Sequence, residues 1–592
     1  MSPQTHSDTL KGRFLDSIHS FPDRPLFSFI ENEPLNYKQF GILTQQIVSL
    51  LDQAGLCEGD KVAILGGNMP HWGVAYFAAV TSSRTAVPIL PDFAAFEIVN
   101  ILEHSEAKAL VVSNRLKYKV PEHIMQKMSI VICMDTLEVE HIQPVATATP
   151  ATTATMAKID TGTKPAAIAT SAAPVIVAAP VEMATSATSA TSAAPATAAK
   201  PVAMADPEPD TLAAIIYTSG TSGTSKGVML SHRNLCSNID MIYDLFPVNP
   251  SDVFLSILPL SHAYECTIGM LYPFCFGASV QYLDGAPTPS LLMPALLKAR
   301  PSIMLSVPLI VEKIYKNKIR PTFTKNFFLQ LIYSFHPVRR LLHKVAGKKL
   351  LQTFGGNLRF FGVGGSKLDG VVERFLRDAG FPYAIGYGLS ETSPLIAGAT
   401  PGKVKFQSTG PALKGLEVRI AQPNKHHIGE LQVKGPNIMV GYYKDPELTA
   451  TAFTPDGWFR TKDLVTIDQL GNVSIKGRKD NMIIGPSGEN IYPEEIEAVI
   501  NEHDLVLESL VAKVKGKMVA MVHFNYPQIE AWHQFREDAV KNMSERVEKL
   551  KVELMAYINE RVNKFSRIAE IIEQPLPFEK TATQKIKRFL YI

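Results

Sequence analysis

From about Leu26 to Asn114 the chain alternates stretches of helical apolar spacing with short, almost wholly apolar runs such as "KVAILGG" and "KALVVSN". Short apolar runs bounded by turns and separated by helical segments predict strands of a largely parallel sheet. The rhythm stops at about Gln143. From there to about Pro209 the chain is mostly Ala, Thr, Ser and Pro, with too few large side chains to build a core, so a disordered surface insertion is predicted at 143–209. The α/β rhythm resumes at "LAAIIYTSG" and runs to about Lys476, with "FLSILPL", "LRFFGVGG" and "YAIGYGLS" as strands. After "GRKD" the pattern changes to a strand pair, "SLVAKVKGKMVAMVHFN", and a charged helix whose apolar face is Val547, Leu550, Leu554 and Ile558. The prediction is an α/β fold: a large multi-layer N-terminal domain over 1–478 and a small α+β C-terminal domain over 479–592.

Composition narrows the function classes. Lys and Arg number 59 against 56 Asp and Glu, a net charge of +3, without the basic surplus of a nucleic-acid binder, so no nucleic-acid partner is expected. The five cysteines (57, 133, 236, 266, 275) form no C-x-x-C pair, which indicates neither a disulfide framework nor a zinc site. The first residues carry no apolar core of an export signal and no run is long enough to span a bilayer, so the expectation is a cytosolic protein.

The candidate chemistry begins at "YTSGTSGTSKGV", Tyr217 to Val228. A Walker A loop, G-x-x-x-x-G-K-[ST], is the obvious comparison, but counting from Gly220 its second glycine is Ser225 and the hydroxyl after Lys226 is Gly227. The composition still suits an anion. Backbone N–H groups and Ser/Thr hydroxyls converge at the end of an apolar strand, the glycines permit close approach, and Lys226 supplies a point charge. A phosphate loop of another kind is predicted.

Six more motifs follow in order: "LPLSHAYE" (258–265), "GVGGSKLD" (362–369), "YGLSET" (387–392), "GWFRTKD" (457–463), "GRKDNMIIGPSGENIYPEEIE" (477–497) and "KTATQKIKR" (580–588). Together the seven resemble the adenylate-forming ligases, the family of acyl-CoA synthetases, firefly luciferase and peptide-synthetase adenylation domains. The resemblance implies a two-step reaction in which a carboxylate attacks the α-phosphate of ATP and a thiol then displaces AMP. It implies that Thr218, Ser219, Gly220, Thr221, Ser222, Gly223 and Lys226 hold the departing phosphates, with Glu391 as the Mg²⁺ ligand. Ser390 and Thr392, beside Gly388, would bond the α-phosphate; Tyr387 would stack on adenine, with Gly364, Gly365 and Ser366 lining its other side. Asp463 and Arg478 would hold the ribose, and His262 would position the acid at the mouth of its pocket. Lys585 matches the lysine that stabilises the α-phosphate transition state. Asp480 matches the hinge on which a mobile C-terminal domain turns to bring Gly485 and Gly488 to the pantetheine arm of coenzyme A.

Within the family the chain is most similar to bacterial long-chain fatty-acid CoA ligases, which implies fatty acid, ATP and CoA as partners. Transfer of the acyl group to a carrier protein, and a medium-chain or aryl acid, stay open as alternatives. A mechanical or regulatory NTPase, or a ligase-like scaffold without activity, is the contrasting class. The apolar and basic region 301–351 has two readings, a covered amphipathic helix pair, which is favoured, or a peripheral contact with an anionic membrane. Assembly as a homodimer is also left open.

Overall fold

The computed structural model describes residues 7–143, 206–219, 225–324, 333–485, 489–534, 543–581 and 586–592. Of the insertion predicted at 143–209, residues 144–205 lie outside them, as do Gly220 to Gly223, Gly488 and Lys585.

Among the described residues two eight-stranded sheets form the body of the chain. In one, Thr85–Ile89, Lys61–Leu65, Ala107–Val112 and Ile130–Cys133 run parallel, with Leu212–Ser219 parallel beside Thr85–Ile89. In the other, Phe360–Val363, Ile303–Ser306, Val253–Ser256, Ser279–Tyr282 and Pro25–Phe29 are parallel neighbours, with Tyr383–Gly388 parallel next to Phe360–Val363. Such strands are buried on both faces, which is why they read as unbroken apolar runs rather than alternations. The helix Pro70–Thr81, "PHWGVAYFAAVT", packs on strands of both sheets and is buried at every residue from Trp72 to Val80. A helix apolar all round has no solvent face and belongs in a core. Its packing is close: a Cβ on Gly73 would lie 2.8 Å from the ring of Phe27.

The α/β rhythm expected to continue to about Lys476 ends earlier. Residues 410–478 form a five-stranded antiparallel sheet, in the order Gly410–Pro411, Asn472–Arg478, Phe459–Ile467, Gly429–Lys434 and Glu417–Ala421. The links between Ala421 and Gly429 and between Ile467 and Asn472 are too short for the crossover helix that parallel strands require.

The C-terminal residues have an apolar core of their own, in which Val547, Leu550, Leu554 and Ile558 pack against Val506, Val511, Val522 and Ile571. The strands Val506–Val514 and Lys517–Phe524 pair through the two-residue turn Lys515-Gly516, both at positive φ (48° and 81°), the geometry of the tight hairpin turns whose twist matches the strands. This part rests against the larger one through Arg320 and Asp504, 2.5 Å apart, and Lys316 Nζ donating to Asn501 O at 2.8 Å. No helix among the described residues is long and apolar enough to cross a membrane.

Candidate functional site

The Gly/Ser/Thr-rich loop is the connection of a β-hairpin. Leu212–Ser219 pairs antiparallel with Ser225–Ser231, with Thr218 opposite Lys226 and Ser219 opposite Ser225. A Walker A loop leads from a strand straight into a helix whose N-terminus faces the phosphates; here a second strand intervenes before the helix His232–Leu245. Tyr217, the first residue of the motif, is buried, its hydroxyl 2.8 Å from His104 Nδ1. A Cβ on Gly227 would come within 2.9 Å of Ile215 and 3.3 Å of Tyr443, so a glycine lets the neighbouring strand close on the hairpin.

That neighbour is Gly441–Tyr442, paired with Val228 and Met229. It places Tyr442 between two of the predicted residues. Lys226 Nζ lies 5.7 Å from the centre of the Tyr442 ring, and the Tyr442 hydroxyl donates to Glu391 Oε1 at 2.9 Å. Burial, with Glu391 beside it, pushes the Tyr442 phenol above its ordinary range, so it stays a donor. Tyr442 was not singled out from the sequence. Its signal is tertiary, since it lies 51 residues from Glu391 along the chain.

A second constellation lies where the strand Tyr383–Gly388 meets the antiparallel sheet. Asp463 and Arg478 are directly opposite on paired strands, and Arg478 Nη1 donates to Asp463 Oδ1 at 2.9 Å. The Tyr387 hydroxyl donates to Asp463 Oδ2 at 2.6 Å. Asp463 is 5% exposed, so both oxygens of a buried carboxylate are engaged by strong donors. Burial works against the Arg478 charge, but Asp463 beside it raises the guanidinium pKa above its ordinary value. Burial and then the Asp463 charge push the Tyr387 phenol well up.

One expectation changes here. Thr392 is fully buried, and its hydroxyl donates within the turn, to Leu389 O at 3.0 Å and Pro394 O at 2.5 Å, so it holds the turn and is not presented to a phosphate. Ser390, half-buried in the same turn, is the residue left for that contact. Tyr387, for which stacking on adenine is expected, is 7% exposed, and its hydroxyl also orients Asp463. Gly388 is tightly confined, since a Cβ there would overlap Pro394 O.

Gly364 is buried, and a Cβ on it would meet the Tyr264 ring at 3.1 Å, while Gly365, at φ +92°, and Ser366 are exposed. His262 is half-buried in the turn before Tyr264, and its carbonyl accepts from Cys266 N at 2.8 Å at the start of the helix Glu265–Leu271. Tyr264 and Ile268 wall a narrow apolar cavity of about 40 Å³ that runs past Gly362, Ala384, Ile385 and Gly386 to Phe246 and Phe360. Next to it lies Glu265, 1% exposed, whose carboxyl burial pushes up to about 8, with a bond to Ser256 as the opposing influence.

Asp480 lies in the turn Lys479–Asn481, 3.4 Å from Lys462 Nζ and 3.9 Å from Arg478 Nη2. The turn is tied on one side by Lys479 to Glu430 at 2.9 Å and on the other by Asn481 to Glu494 at 2.6 Å. Gly485 is not with the other site residues: it is buried in the hairpin of Ile483–Ile484 and Asn490–Ile491, its N–H donating to Glu489 O at 2.8 Å. The structure therefore brings Lys226, Glu391, Tyr387, Asp463, Arg478 and Asp480 to one region where three sheets meet.

Among the described residues no cluster of three or more His, Cys, Asp or Glu could hold a metal by itself. Mg²⁺ does not need one, since it is commonly held by one or two carboxylates, water and substrate phosphates. The lone Glu391 facing Lys226 across Tyr442 fits that donor set.

The hairpin and the buried Asp463–Arg478 pair stand on a mixed α/β body whose fold a solved structure shares. The crystal structure of ATP-bound MatB from Rhodopseudomonas palustris is similar to it over 98% of both chains, with a TM-score of 0.72 at 21% identity, a likeness of fold. Residues 14–443 match the AMP-binding enzyme family, and the chain belongs to that family. Among curated relatives, long chain acyl-CoA synthetase 6, peroxisomal, of Arabidopsis thaliana is 31% identical over 350 residues, 55% of this chain and 50% of that protein. Fatty acyl-CoA synthetase A of Dictyostelium discoideum is 26% identical over 494 residues, 78% of this chain and 68% of that one. The chain thus spans about half the length of the first of these relatives.

Proposed function

We propose that the chain is an ATP-dependent acyl-CoA ligase that acts on long-chain fatty acids. The observation that carries the reading is the strand Tyr383–Gly388: Ala384, Ile385 and Gly386 wall the apolar cavity, and Tyr387 joins the Asp463–Arg478 pair. One strand thus sets a slot for an apolar tail beside a polar constellation suited to a nucleotide. The names of the relatives from Arabidopsis and Dictyostelium support the acid and the thiol.

In the first step the acid's carboxylate oxygen attacks the α-phosphorus of ATP, the bond to the bridging oxygen breaks, and pyrophosphate leaves. In the second, the CoA sulfur attacks the acyl carbon and AMP leaves with the electron pair. Lys226, Thr218 and Ser219, with the loop at 220–223, hold the departing phosphates; Asp463 accepts from the ribose hydroxyls; Ser390 bonds the α-phosphate; His262 positions the acid. Bound at Glu391, Mg²⁺ would supply neutralising charge to the phosphates. Lys585 stabilises the charge that builds on the α-phosphate. Residues 479–592 turn about Asp480 between the steps and bring Gly485 and Gly488 to the CoA arm.

A cavity of about 40 Å³ is smaller than the engineered cavity of about 150 Å³ that admits benzene, so the slot must open to take an acyl chain. Phe246 is among the residues that line it, its ring centre 4.1 Å from that of Phe360 and 4.5 Å from the Arg359 guanidinium.

The test is incubation with ATP, Mg²⁺, CoA and a panel of acids, following AMP, pyrophosphate and thioester. ADP with orthophosphate would sink the reading, and AMP without a CoA thioester would point to a carrier protein. Lys585→Ala should cripple adenylate formation and largely spare thioester formation from supplied acyl adenylate; equal loss in both steps refutes the division of labour. Phe246→Ala, which widens the cavity, should shift preference toward longer acids, and an unchanged chain-length profile removes this cavity as the acyl pocket.

A further inference from the structure

Residues 313–368 contain twelve Lys or Arg and no Asp or Glu, in a chain whose charges as a whole nearly balance at 59 to 56. Part of that charge is met by carboxylates from elsewhere: Lys316 by Asp369 at 3.4 Å, Arg320 by Asp504 at 2.5 Å, Arg359 by Asp252 at 2.6 Å, and Arg340 by Asp378 at 3.6 Å. On the helix His336–Thr353 the pairing is confined, among the described residues, to Arg340 and His343, both with Asp378. Among the described residues no carboxylate pairs with Lys344, Lys348 or Lys349.

The helix has two apolar sides. Gly347 and Leu350 face inward with His343, which bonds Asp378 at 3.0 Å and the Tyr333 hydroxyl at 2.7 Å. On the opposite side Val338, Leu341 and Val345, spaced i, i+3, i+7, are 37%, 63% and 63% exposed, and Phe335 at the N-cap is 59% exposed. At 3.6 residues per turn, Lys344 and Lys348 fall along one edge of this stripe and Lys349 along the other. Isolated exposed aliphatics are ordinary on a protein surface, but a stripe one helix wide with cations on both borders is not a scatter. Of the two readings of this region, a covered amphipathic pair or a membrane contact, the exposure of the stripe favours the second.

We propose that the helix His336–Thr353 docks on an anionic lipid surface, with Val338, Leu341 and Val345 entering the headgroup boundary and Lys344, Lys348 and Lys349 reaching lipid phosphates. The lysine stems lie along the apolar surface while their ammonium groups extend to the polar layer, the arrangement of helices that lie in the plane of the interface. The inference rests on this helix and not on the fatty-acid reading, so either can fail without the other.

The test is co-sedimentation of the full chain with phosphatidylcholine vesicles with and without phosphatidylserine. Binding should require phosphatidylserine and weaken as salt screens the lysines. Lys344→Gln/Lys348→Gln/Lys349→Gln should lower partitioning on the order of 100-fold, and Leu341→Ser/Val345→Ser about tenfold, with adenylate formation from a soluble acid unchanged in both. An environment-sensitive fluorophore on Val345→Cys should be solvated without vesicles and shift to the blue with them. Equal binding to both vesicle types, wild-type binding by the triple lysine variant, or a label already shielded in the free protein, as a second copy or an acidic protein partner would leave it, overturns the proposal.

Discussion

Asp463 and Glu265 are both buried carboxylates, 5% and 1% exposed, and the chain treats them in opposite ways. Asp463 has a guanidinium at 2.9 Å and a phenol at 2.6 Å. Glu265 has a Ser256 bond but no cation among its influences, and burial pushes its carboxyl up to about 8. A charge survives burial when paired and hydrogen-bonded, and is otherwise neutralised by a proton. Around Asp463 the fold thus holds a preorganised ion pair, whereas at Glu265 burial favours the protonated, neutral carboxyl.

The strongest challenge to this contrast is Asp463→Ala, which removes the acceptor of Arg478 and Tyr387 together. It should lower kcat/KM for adenylate formation on the order of 100-fold, the worth of one or two charge-assisted hydrogen bonds. A loss no greater than that of Glu265→Gln would erase the distinction between the two carboxylates.

Glu265→Gln probes the other carboxylate through stability. The folded pKa of about 8 lies above the unperturbed 4.5, so the folded state holds this proton more tightly than the unfolded chain. The associated stability is complete below about pH 4.5 and is lost as pH rises toward 8. The glutamine variant lacks that slope, and its melting temperature should gain on the wild type by several degrees between pH 5 and pH 8. Parallel profiles would mean that Glu265 is charged in the fold.

The smallest effect is expected of Tyr442→Phe, which removes one donor from Glu391 and leaves the ring over Lys226. The Mg²⁺ concentration for half-maximal activity should move about fivefold, the worth of one hydrogen bond, and no movement would separate Tyr442 from the metal site.

Much of the fold was legible because its strands are short apolar runs between helical segments, and the helix with Val547, Leu550, Leu554 and Ile558 inward follows directly from their spacing. The antiparallel sheet at 410–478 was not, although its strands "EVRIA", "GELQVK" and "NVSIKGR" alternate apolar and polar residues, because short alternating stretches do not say which strands pair. At the site, Glu391, Asp463 and Arg478 were reached through motif resemblance, whereas Tyr442 and the buried commitment of Thr392 were not.

The sequence by itself determined which segments are strands and helices, that the hairpin loop departs from Walker A, and that residues 313–368 are wholly without acids, because each of these is written in consecutive residues. Only the tertiary structure decided that Tyr387 orients Asp463 across 76 residues, that Thr392 turns inward, that Glu265 is buried without a cation, and that the outer face of His336–Thr353 stays bare. Burial and partnership are properties of neighbours brought together by folding, and no local pattern of residues records which distant side chain will fill the space beside them.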